Sequence, residues 1–244
     1  MLIELLADLA KLGFFVACAY LVLRAYARRR QPDWVAYLTQ RRLAVLGALT
    51  LAMSAIKVIE DVVAKESGPV DTALLWFVRD HVPAALTGFF GWVTQSGSAA
   101  FLLPATLVVV AALLVARHRF EALLMSASMV TALLLVYGLK ALVGRARPAL
   151  WATDWYWGSS FPSGHTLSTA AFATAAVLCL ARLWPRSAAP AMTAALLWTG
   201  LVALSRLVLG VHWPSDVLAA LCLGVFTPLS FSVVFERRWP RGNL

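Results

Sequence analysis

Long apolar segments, separated by short clusters of arginine, constrain the fold of this chain more than any other feature. Of its 244 residues, 61% are hydrophobic and only 14% are charged. A soluble domain of this size needs more charged surface, and an apolar run of about 20 residues is long enough to cross a bilayer as a helix. The sequence therefore predicts an all-α, polytopic membrane helix bundle without room for a separate soluble domain.

Seven segments are candidate membrane spans. They are Leu2–Leu23, Leu43–Val63, Gly97–Ala116, Ala122–Leu139, Ser163–Ala181, Ser187–Ser205 and Pro214–Phe235. In the first segment the basic cluster follows the apolar stretch, which is opposite to the order in a signal peptide and favours an anchor with its N-terminus outside. Residues 70–90, between the second and third spans, have mixed polarity and predict an amphipathic segment along the membrane interface.

Basic residues are distributed unevenly between the two faces that alternating spans would define. Thirteen of the 21 Lys and Arg residues fall on one face, namely Arg24, Arg28, Arg29, Arg30, Arg41, Arg42, Arg117, Arg119, Arg182, Arg186, Arg237, Arg238 and Arg241. By the positive-inside rule this face is cytoplasmic. The net charge of +9 follows mainly from these loops, so no nucleic-acid partner is predicted.

Three polar motifs interrupt the second half of the chain, and the predicted topology brings them to the opposite, extracytoplasmic face. The first runs from Lys140 to Pro148 and follows the fourth span. The second, Pro162 to His165, opens the fifth span, and the third, Ser205 to Asp216, joins the sixth span to the seventh. Ionisable residues at such depth are costly, so their presence indicates a functional site.

The residue types in these motifs predict a site for an anion with several oxygens. Lys140, Arg147 and Arg206 supply positive charge, and arginine binds phosphate oxygens in pairs. Ser163 and Gly164 open a helix, where free N–H groups and the helix dipole favour an anion, and the Ser163 hydroxyl can donate a further hydrogen bond. Together these groups would form a phosphate site.

Two further residues of the motifs are candidates for the same site. Arg145 lies close to Arg147 in the chain and could contact either the phosphate or lipid headgroups, and these two interpretations stay open. Ser205, next to Arg206, is a candidate for an additional polar contact.

Two histidines flank the predicted phosphate site. Pro214 suits the first turn of a helix, which places Asp216 in that turn, within reach of the His212 ring. A carboxylate there would fix the ring tautomer and raise its basicity, so His212 is the candidate nucleophile. His165 is then free to protonate the leaving alkoxide as a general acid and afterwards to activate water.

A metal site is the main alternative for this group of His and Asp residues. The surrounding Lys and Arg residues would repel a divalent cation, and metal-dependent chemistry would need more carboxylates than Asp216 and Asp154 supply. The sequence therefore predicts neither a metal nor a cofactor.

In order and spacing, the three motifs resemble those of the type 2 phosphatidic acid phosphatase (PAP2) superfamily. The matching pattern is Lys, six residues, Arg-Pro; then Pro-Ser-Gly-His; then Ser-Arg, five residues, His, three residues, Asp. The resemblance implies a nucleophile at His212 supported by Asp216, a general acid at His165, and phosphate ligands at Lys140, Arg147, Ser163, Gly164 and Arg206. It also implies a six-helix membrane core at residues 43–235, preceded by an additional span and basic loop at residues 1–42 and followed by a basic tail at 236–244.

The resemblance implies an integral membrane lipid phosphatase of the bacterial inner membrane that acts through a phosphohistidine, and the distribution of basic residues predicts that it acts on the extracytoplasmic face. Its expected substrate is undecaprenyl diphosphate, phosphatidate or a related membrane lipid, and its expected partners are that lipid and the bilayer; no oligomeric state is predicted. A lipid-linked phosphotransferase would use the same residues, so that alternative stays open. A lipid transporter would not need paired histidines with an orienting Asp, and the seven spans argue against a soluble haloperoxidase.

Aromatic residues are concentrated between the first two motifs. They are Trp151, Trp155, Tyr156 and Trp157. Such residues suit a membrane interface, where they could flank a lipid entry path or serve only as an anchor, and both interpretations stay open.

Overall fold

A computed structural model describes residues 2–31, 33–153 and 158–238, and within these ranges it contains helices and no β-strand. The α-helices are α1 (Leu2–Arg30), α2 (Asp33–Gln40), α3 (Arg42–Val63), α4 (Gly68–His81), α5 (Thr87–Gln95), α6 (Ala99–Val115), α7 (Arg119–Val143), α8 (Gly164–Leu183), α9 (Ala188–Val208) and α10 (Pro214–Arg238). Short 3₁₀ turns, Ala84–Leu86 and Pro185–Ser187, precede α5 and α9. The predicted all-α fold is confirmed.

Seven segments of the described chain are long and apolar enough to cross a membrane, which confirms the predicted number. They are Ala10–Arg30, Arg42–Val63, Ala84–Val115, Arg119–Val143, Gly164–Leu183, Pro185–Val208 and Pro214–Glu236. The first differs most from the prediction, because α1 continues through the basic cluster to Arg30. Arginine has a high helix propensity, so a change from apolar to basic residues does not end a helix.

The predicted amphipathic segment at residues 70–90 is divided between two helices. Val82, after the end of α4, is extended at φ −98° and ψ 116°, because the following Pro83 disfavours the helical conformation of the residue before it. A second helix, α5, starts at Thr87 and is separated from α6 by a turn in which Ser98 caps α6, accepting a 3.3 Å hydrogen bond from the Phe101 N–H. The location of this segment at a membrane interface stays a prediction.

Contacts divide the chain into two units, residues 1–57 and 58–244. In the first unit, Ala27, Leu38 and Val45 form a small buried cluster, and the Tyr20 hydroxyl donates a hydrogen bond to the Leu38 carbonyl. The boundaries predicted at residues 42/43 and 235/236 stay predictions. Of the predicted basic tail, residues 239–244 lie outside the described part of the chain.

The second unit is organised around α8, which packs against α6, α7, α9 and α10. Leu102, Met125, Leu167 and Ala220 are among the buried residues of the core that α6, α7, α8 and α10 share. Small residues on α8 and α10 allow these two helices to approach closely, as is common between membrane helices. As a result, α6, α7, α9 and α10 form a helix bundle around α8.

The polar motifs all lie at one end of this unit, where α7 ends, α8 begins, α9 ends and α10 begins. Gly144, with a φ of 61°, follows the last residue of α7 in the left-handed conformation that commonly ends a helix. Pro214 is the first residue of α10, as predicted. The Ser163 N–H donates a 3.3 Å hydrogen bond to the Asp216 carbonyl, which joins the start of α8 to the start of α10.

Candidate active site

His212 lies in the turn between α9 and α10, and Asp216 lies in the first turn of α10. The His212 Nδ1 is 3.5 Å from the Asp216 Oδ2, and the two residues are 2% and 0% exposed. The same Oδ2 accepts a 2.9 Å hydrogen bond from the Trp213 N–H, a contact that holds the carboxylate at the start of the helix. The structure thus places the two residues together as their spacing predicted.

The other ring nitrogen of His212 faces Arg147. The Arg147 Nη1 is 3.3 Å from the His212 Nε2 and donates a 2.8 Å hydrogen bond to the Val211 carbonyl. A tautomer with its proton on Nδ1 directs that proton to Asp216 and leaves the Nε2 lone pair facing the arginine. The ring is therefore oriented by one contact on each side.

The protonation state of His212 follows from its surroundings. Burial lowers the pKa of His212 from its ordinary value of 6.5 to about 4, although the neighbouring Asp216 acts in the opposite direction. At pH 7 the ring is neutral, and Nε2 carries the free electron pair that a nucleophile needs.

Three cations predicted to bind phosphate come from three different elements. Lys140 lies in the last turn of α7, Arg147 in the loop that follows, and Arg206 in the last turn of α9. All three, and His212 as well, lie close enough to His165 to interact with it electrostatically. The structure therefore gathers the predicted cations and both histidines into one positively charged region, which favours an anion.

Two of these cations are positioned by groups outside the motifs. The Lys140 Nζ donates a 2.9 Å hydrogen bond to the Ser159 carbonyl. Arg206 is only 1% exposed, and its Nη1 donates a 2.5 Å hydrogen bond to the Thr94 hydroxyl of α5. The sequence did not single out Thr94, because a threonine within an apolar segment is not distinguishable from a packing residue until its partner is known.

The start of α8 has the geometry that its sequence predicted. Gly164 is the first helical residue and Ser163 precedes it as the N-cap. Ser163 is buried, and its hydroxyl lies 3.0 Å from the Thr166 hydroxyl, so this group already has a partner within the first turn. His165, the second residue of the helix, is half-buried at the edge of the site.

Gly97 allows the turn between α5 and α6 to approach His165. A Cβ on Gly97 would stand 2.8 Å from the Thr169 Oγ1 and 3.5 Å from the His165 Cβ. A contact below 3 Å requires the neighbour to move, and a Cβ here would also stand 2.7 Å from the Val202 Cγ1, so a side chain at this position would displace Val202 of α9 or Thr169 of α8. This role of Gly97 was not predictable from the sequence, since a glycine after a serine in an apolar segment suits any turn.

Arg145 contacts carboxylates in the structure, while its predicted contact with a phosphate or with lipid headgroups stays a prediction. Its Nη1 is 2.7 Å from the Asp216 Oδ1, and its Nη2 is 2.6 Å from the Asp71 Oδ2. It also donates hydrogen bonds to the hydroxyls of Ser215, at 2.7 Å, and Ser67, at 3.1 Å. Asp71 lies in α4, 74 residues earlier in the chain, and was not predicted as a site residue because no local pattern connects it to the motifs.

Ser205 is directed at its own helix rather than at the site. Its buried hydroxyl donates a 2.6 Å hydrogen bond to the Val202 carbonyl. This is a common arrangement for serine inside an apolar helix, because it satisfies the hydroxyl without another partner.

Trp151 packs against the turn that carries His212. A Cβ on Gly210, which has a φ of 66°, would stand 2.7 Å from the Trp151 indole. The ring centroid of Trp151 lies 5.3 Å from that of Trp76, and the Arg79 guanidinium lies 4.4 Å from it. The other aromatic residues predicted to flank a lipid path, Trp155, Tyr156 and Trp157, lie outside the described residues, as does Asp154.

Within the ranges that the structure describes, no three His, Cys, Asp or Glu side chains are grouped as ligands for a metal ion. Independence from metal ions stays a prediction, to be tested by chelation.

Comparisons with known proteins point to one family. Residues 121–240 match the model of the PAP2 superfamily, a range that contains all three motifs. The chain is similar to phosphatidylglycerophosphatase B of Escherichia coli, with 39% identity over 82 residues that cover 34% of this chain and 29% of that protein. It is also similar to phosphatidylglycerophosphatase B of Bacillus subtilis, with 31% identity over 136 residues, or 54% of this chain and 67% of that protein. The match thus spans less than a third of the Escherichia coli relative.

The fold is similar to a crystal structure described as the first transmembrane PAP2 type phosphatidylglycerolphosphate phosphatase from Bacillus subtilis. The TM-score is 0.70 and the identity 26%, over 80% of this chain and 98% of that chain. With its seven apolar helices, this chain is likewise a multi-pass membrane protein. The three motifs, the arrangement of the helices that carry them and the matches to sequence and fold together establish that the chain belongs to the PAP2 superfamily.

Proposed function

We propose that this protein is a metal-independent membrane lipid phosphatase that hydrolyses a phosphomonoester or a diphosphate of a lipid. The observation that carries the proposal is the buried His212 ring, which lies between Asp216 and Arg147 and near His165. The names of the relatives, phosphatidylglycerophosphatase B in two bacteria, support a lipid phosphate as the substrate. Undecaprenyl diphosphate, phosphatidate and phosphatidylglycerophosphate are the candidate lipids.

In the first step, the His212 Nε2 attacks the phosphorus atom, and the bond between phosphorus and the leaving oxygen of the lipid breaks. His165, which is in its protonated form while the anionic phosphate is bound beside it, donates that proton to the leaving oxygen, so a lipid alcohol leaves from a monoester and a lipid monophosphate from a diphosphate. Asp216, whose Oδ2 lies 3.5 Å from the His212 Nδ1, stabilises the positive charge that develops on the ring. The product of this step is a phosphohistidine at His212.

The cations stabilise the phosphoryl group during its transfer. Charge is spread over its oxygens in the transition state, so fixed positive groups around them lower the barrier. The groups that we assign to this role are Lys140, Arg147 and Arg206, with the N–H groups at the start of α8 beside Ser163 and Gly164.

In the second step, water attacks the phosphorus of the phosphohistidine, and the bond to Nε2 breaks. His165, now neutral, accepts the proton of the water, and inorganic phosphate leaves while His212 returns to its neutral form. A hydroxyl group of a second lipid in place of water would make the protein a lipid-linked phosphotransferase, so release of inorganic phosphate distinguishes the two activities.

We propose that the reaction takes place on the extracytoplasmic face. The site lies where α7 ends and α8 begins, whereas Arg117 and Arg119, at the start of α7, and Arg182, at the end of α8, lie at the opposite ends of these helices. Basic loops are retained in the cytoplasm, so the distribution of arginine supports an external site and a substrate in the outer leaflet.

The test is a substrate panel with the purified full-length protein in detergent micelles. Inorganic phosphate is measured with phosphatidylglycerophosphate, undecaprenyl diphosphate, phosphatidate and lipid A, each with and without EDTA. We expect at least one lipid to be hydrolysed and EDTA to have no effect. Absence of phosphate release from all four lipids would contradict a lipid phosphatase. Activity that EDTA removes and a divalent cation restores would contradict the metal-free mechanism.

A further inference from the structure

A series of charged side chains, of which the two carboxylates are buried and Arg145 is partly exposed, connects α4 to the candidate nucleophile. Asp71 contacts Arg145 at 2.6 Å, Arg145 contacts Asp216 at 2.7 Å, and Asp216 lies 3.5 Å from His212. Asp71 is 2% exposed and Asp216 is fully buried. Buried carboxylates are costly unless they are paired, so a series of this kind is retained only where its members satisfy one another.

Asp71 also fixes the beginning of α10. Its Oδ1 accepts a 2.8 Å hydrogen bond from the Ser215 N–H, and its Oδ2 accepts a 2.6 Å hydrogen bond from the Ser215 hydroxyl. The first N–H groups of a helix have no partner within the helix, so Asp71 supplies from α4 a cap that the local sequence lacks. The same carboxylate therefore holds both Arg145 and the helix that carries Asp216.

These contacts give each oxygen of Asp216 separate partners. Oδ1 accepts from Arg145, while Oδ2 accepts from the Trp213 N–H and faces the His212 Nδ1. With both oxygens engaged, the carboxylate has no freedom to rotate away from the ring. The orientation of His212 thus depends on Arg145, although Arg145 does not touch the ring.

The charges of Asp71, Arg145 and Asp216 also connect these residues to the His212 ring. Arg145 is shared between two carboxylates, so Asp71, Arg145 and Asp216 together carry one negative charge next to His212. Without Asp71, the whole positive charge of Arg145 would act on Asp216 and weaken its support of the ring. Without Arg145, two buried carboxylates would remain near each other without a cation.

We propose that Asp71 and Arg145 are positioning residues of the active site, which set the orientation and effective charge of Asp216 and through it the reactivity of His212. The proposal rests on the function proposed above, and it assigns Arg145 to the nucleophile side of the site rather than to the phosphate. Both terminal nitrogens of Arg145 already contact carboxylates, and the nearby Asp71 would repel a phosphate group.

Variants of the two residues differ in the sign of their effect on His212. Asp71→Asn removes one negative charge, so the pKa of His212 falls; Arg145→Gln removes one positive charge, so this pKa rises. The double variant restores the original net charge, and its pKa lies between those of the single variants. The other charged or titratable groups that face His212 are unchanged in all three variants: Lys140 from α7, Arg147 from the following loop, His165 from α8, Arg206 from α9 and Asp216 from α10.

Comparing kcat with the inhibition constant of inorganic phosphate distinguishes a positioning residue from one that binds the phosphate. We expect Asp71→Asn to lower kcat about tenfold and Arg145→Gln about a hundredfold, by analogy with the range found when the outer-shell partners that orient a metal-bound histidine are removed. The inhibition constant of inorganic phosphate should change less than about twofold in both, whereas Lys140→Ala should weaken phosphate binding. The matched control is Asp80→Asn, which removes a charge from an exposed position of the same helix, α4, and should change neither quantity.

The decisive experiment is an NMR titration of the full-length protein in detergent with ¹⁵N-labelled histidine. The chain has four histidines, so the His212 signals are assigned by comparison with His212→Gln. We expect its pKa to fall in Asp71→Asn, rise in Arg145→Gln and return towards the wild-type value in the double variant, while Asp80→Asn has no effect. Shifts in the same direction, no shifts, or a weakened inorganic phosphate affinity in Arg145→Gln would overturn the proposal.

The outcome is independent of whether the lipid substrate is right. If the wild-type protein hydrolyses none of the four lipids but the opposite shifts are found, the proposed function fails and the positioning role stands. If phosphate is released but the shifts are absent, the positioning role fails and the function stands. Arg145→Gln leaves two buried carboxylates without the cation between them, so this variant has the highest risk of misfolding. If it does not fold, Asp71→Asn, in which the pKa of His212 should fall, and the charge-balanced double variant test the positioning role.

Discussion

The two histidines of the site have different surroundings, which suit different chemical roles. His212 is 2% exposed and held by groups on both sides of its ring, as a nucleophile that must attack along a fixed direction requires. His165 is half-buried in the first turn of α8, where a leaving group or a water molecule can reach it. A group that exchanges protons with a departing alcohol and an arriving water needs such access.

This difference predicts distinct defects for the two alanine variants. His212→Ala should abolish both phosphate release and the formation of a phosphoenzyme, because no nitrogen remains to accept the phosphoryl group. His165→Ala should reduce lipid hydrolysis by about two to four orders of magnitude, yet still form a phosphoenzyme from p-nitrophenyl phosphate, whose leaving group needs no proton. The phosphoenzyme is measured as the acid-labile phosphate that remains bound to the protein after the reaction is quenched. A phosphoenzyme in His212→Ala would assign the nucleophile to another residue.

Local spacing determined which site residues could be predicted. His212 and Asp216 are four residues apart around a helix start, so their proximity follows from helix geometry. Lys140 and Arg206 occur in motifs that a predicted alternation of spans brings to one face. Asp71 and Thr94 belong to no motif, and only the packing of α4 and α5 against the bundle reveals their partners.

At the level of the elements, the contact between α8 and α10 determines the position of His165, at the start of α8, relative to Asp216, at the start of α10. Gly224 of α10 lies against the backbone of α8, where a Cβ would stand 2.6 Å from the Leu167 carbonyl oxygen and 2.7 Å from the Ala170 Cβ. These atoms cannot rotate aside. The start of α8, with His165, and the start of α10, with Asp216, are therefore kept in register by a glycine far from the chemistry.

Gly224→Ala is expected to destabilise the protein by about 1–3 kcal/mol, since an added methyl group would force the two helices apart. Gly138→Ala is the matched control, because Gly138 is also inside a helix but has no atom within 4 Å of its added Cβ. Alanine favours a helix over glycine by about 0.5–1 kcal/mol, so the control should be neutral or slightly stabilising. Thermal unfolding of the two purified variants in the same detergent provides the comparison, and equal melting temperatures would contradict the packing argument.

Helix boundaries were predicted with unequal success for identifiable reasons. Pro214 begins α10 as expected, because proline suits the first turn of a helix. The helix α8 begins at Gly164, directly after Pro162 and Ser163 as expected, although the Ser163 hydroxyl pairs with Thr166 and makes no cap hydrogen bond. The end of α1 was placed too early, because the basic residues that change the polarity of the chain do not change its helix propensity. Polarity thus predicts a span, while only residues with specific backbone preferences predict a helix end.

On the scale of the whole molecule, the second unit has a polar site at one end and basic loops at the other. The site gathers its cations inside the protein, where Arg206 is 1% exposed, whereas Arg117, Arg119 and Arg186 are exposed at the opposite end. Exposed arginines in short loops determine orientation during insertion, and buried ones that serve a site contribute little to that bias. The charge distribution therefore favours the orientation in which the basic loops are cytoplasmic, although the site itself is also positively charged.

This orientation predicts which loops an impermeant reagent can reach in intact cells. The test compares Ala152→Cys, in the exposed loop beside the site, with Ala116→Cys, in the exposed loop between α6 and α7. Both are introduced into a protein whose own cysteines, Cys18, Cys179 and Cys222, have been replaced by alanine. An impermeant maleimide should label Ala152→Cys in intact cells and Ala116→Cys only after permeabilisation.

Labelling of both variants in permeabilised cells shows that each thiol is accessible, so a difference in intact cells reports the side of the membrane alone. The loop at Ala152 lies at the end of the bundle that contains His212, and the loop at Ala116 lies at the basic end. If Ala116→Cys were labelled in intact cells and Ala152→Cys were not, the site would face the cytoplasm. The substrate would then have to be a lipid of the inner leaflet, while the proposed roles of His212, Asp216 and His165 would be unaffected.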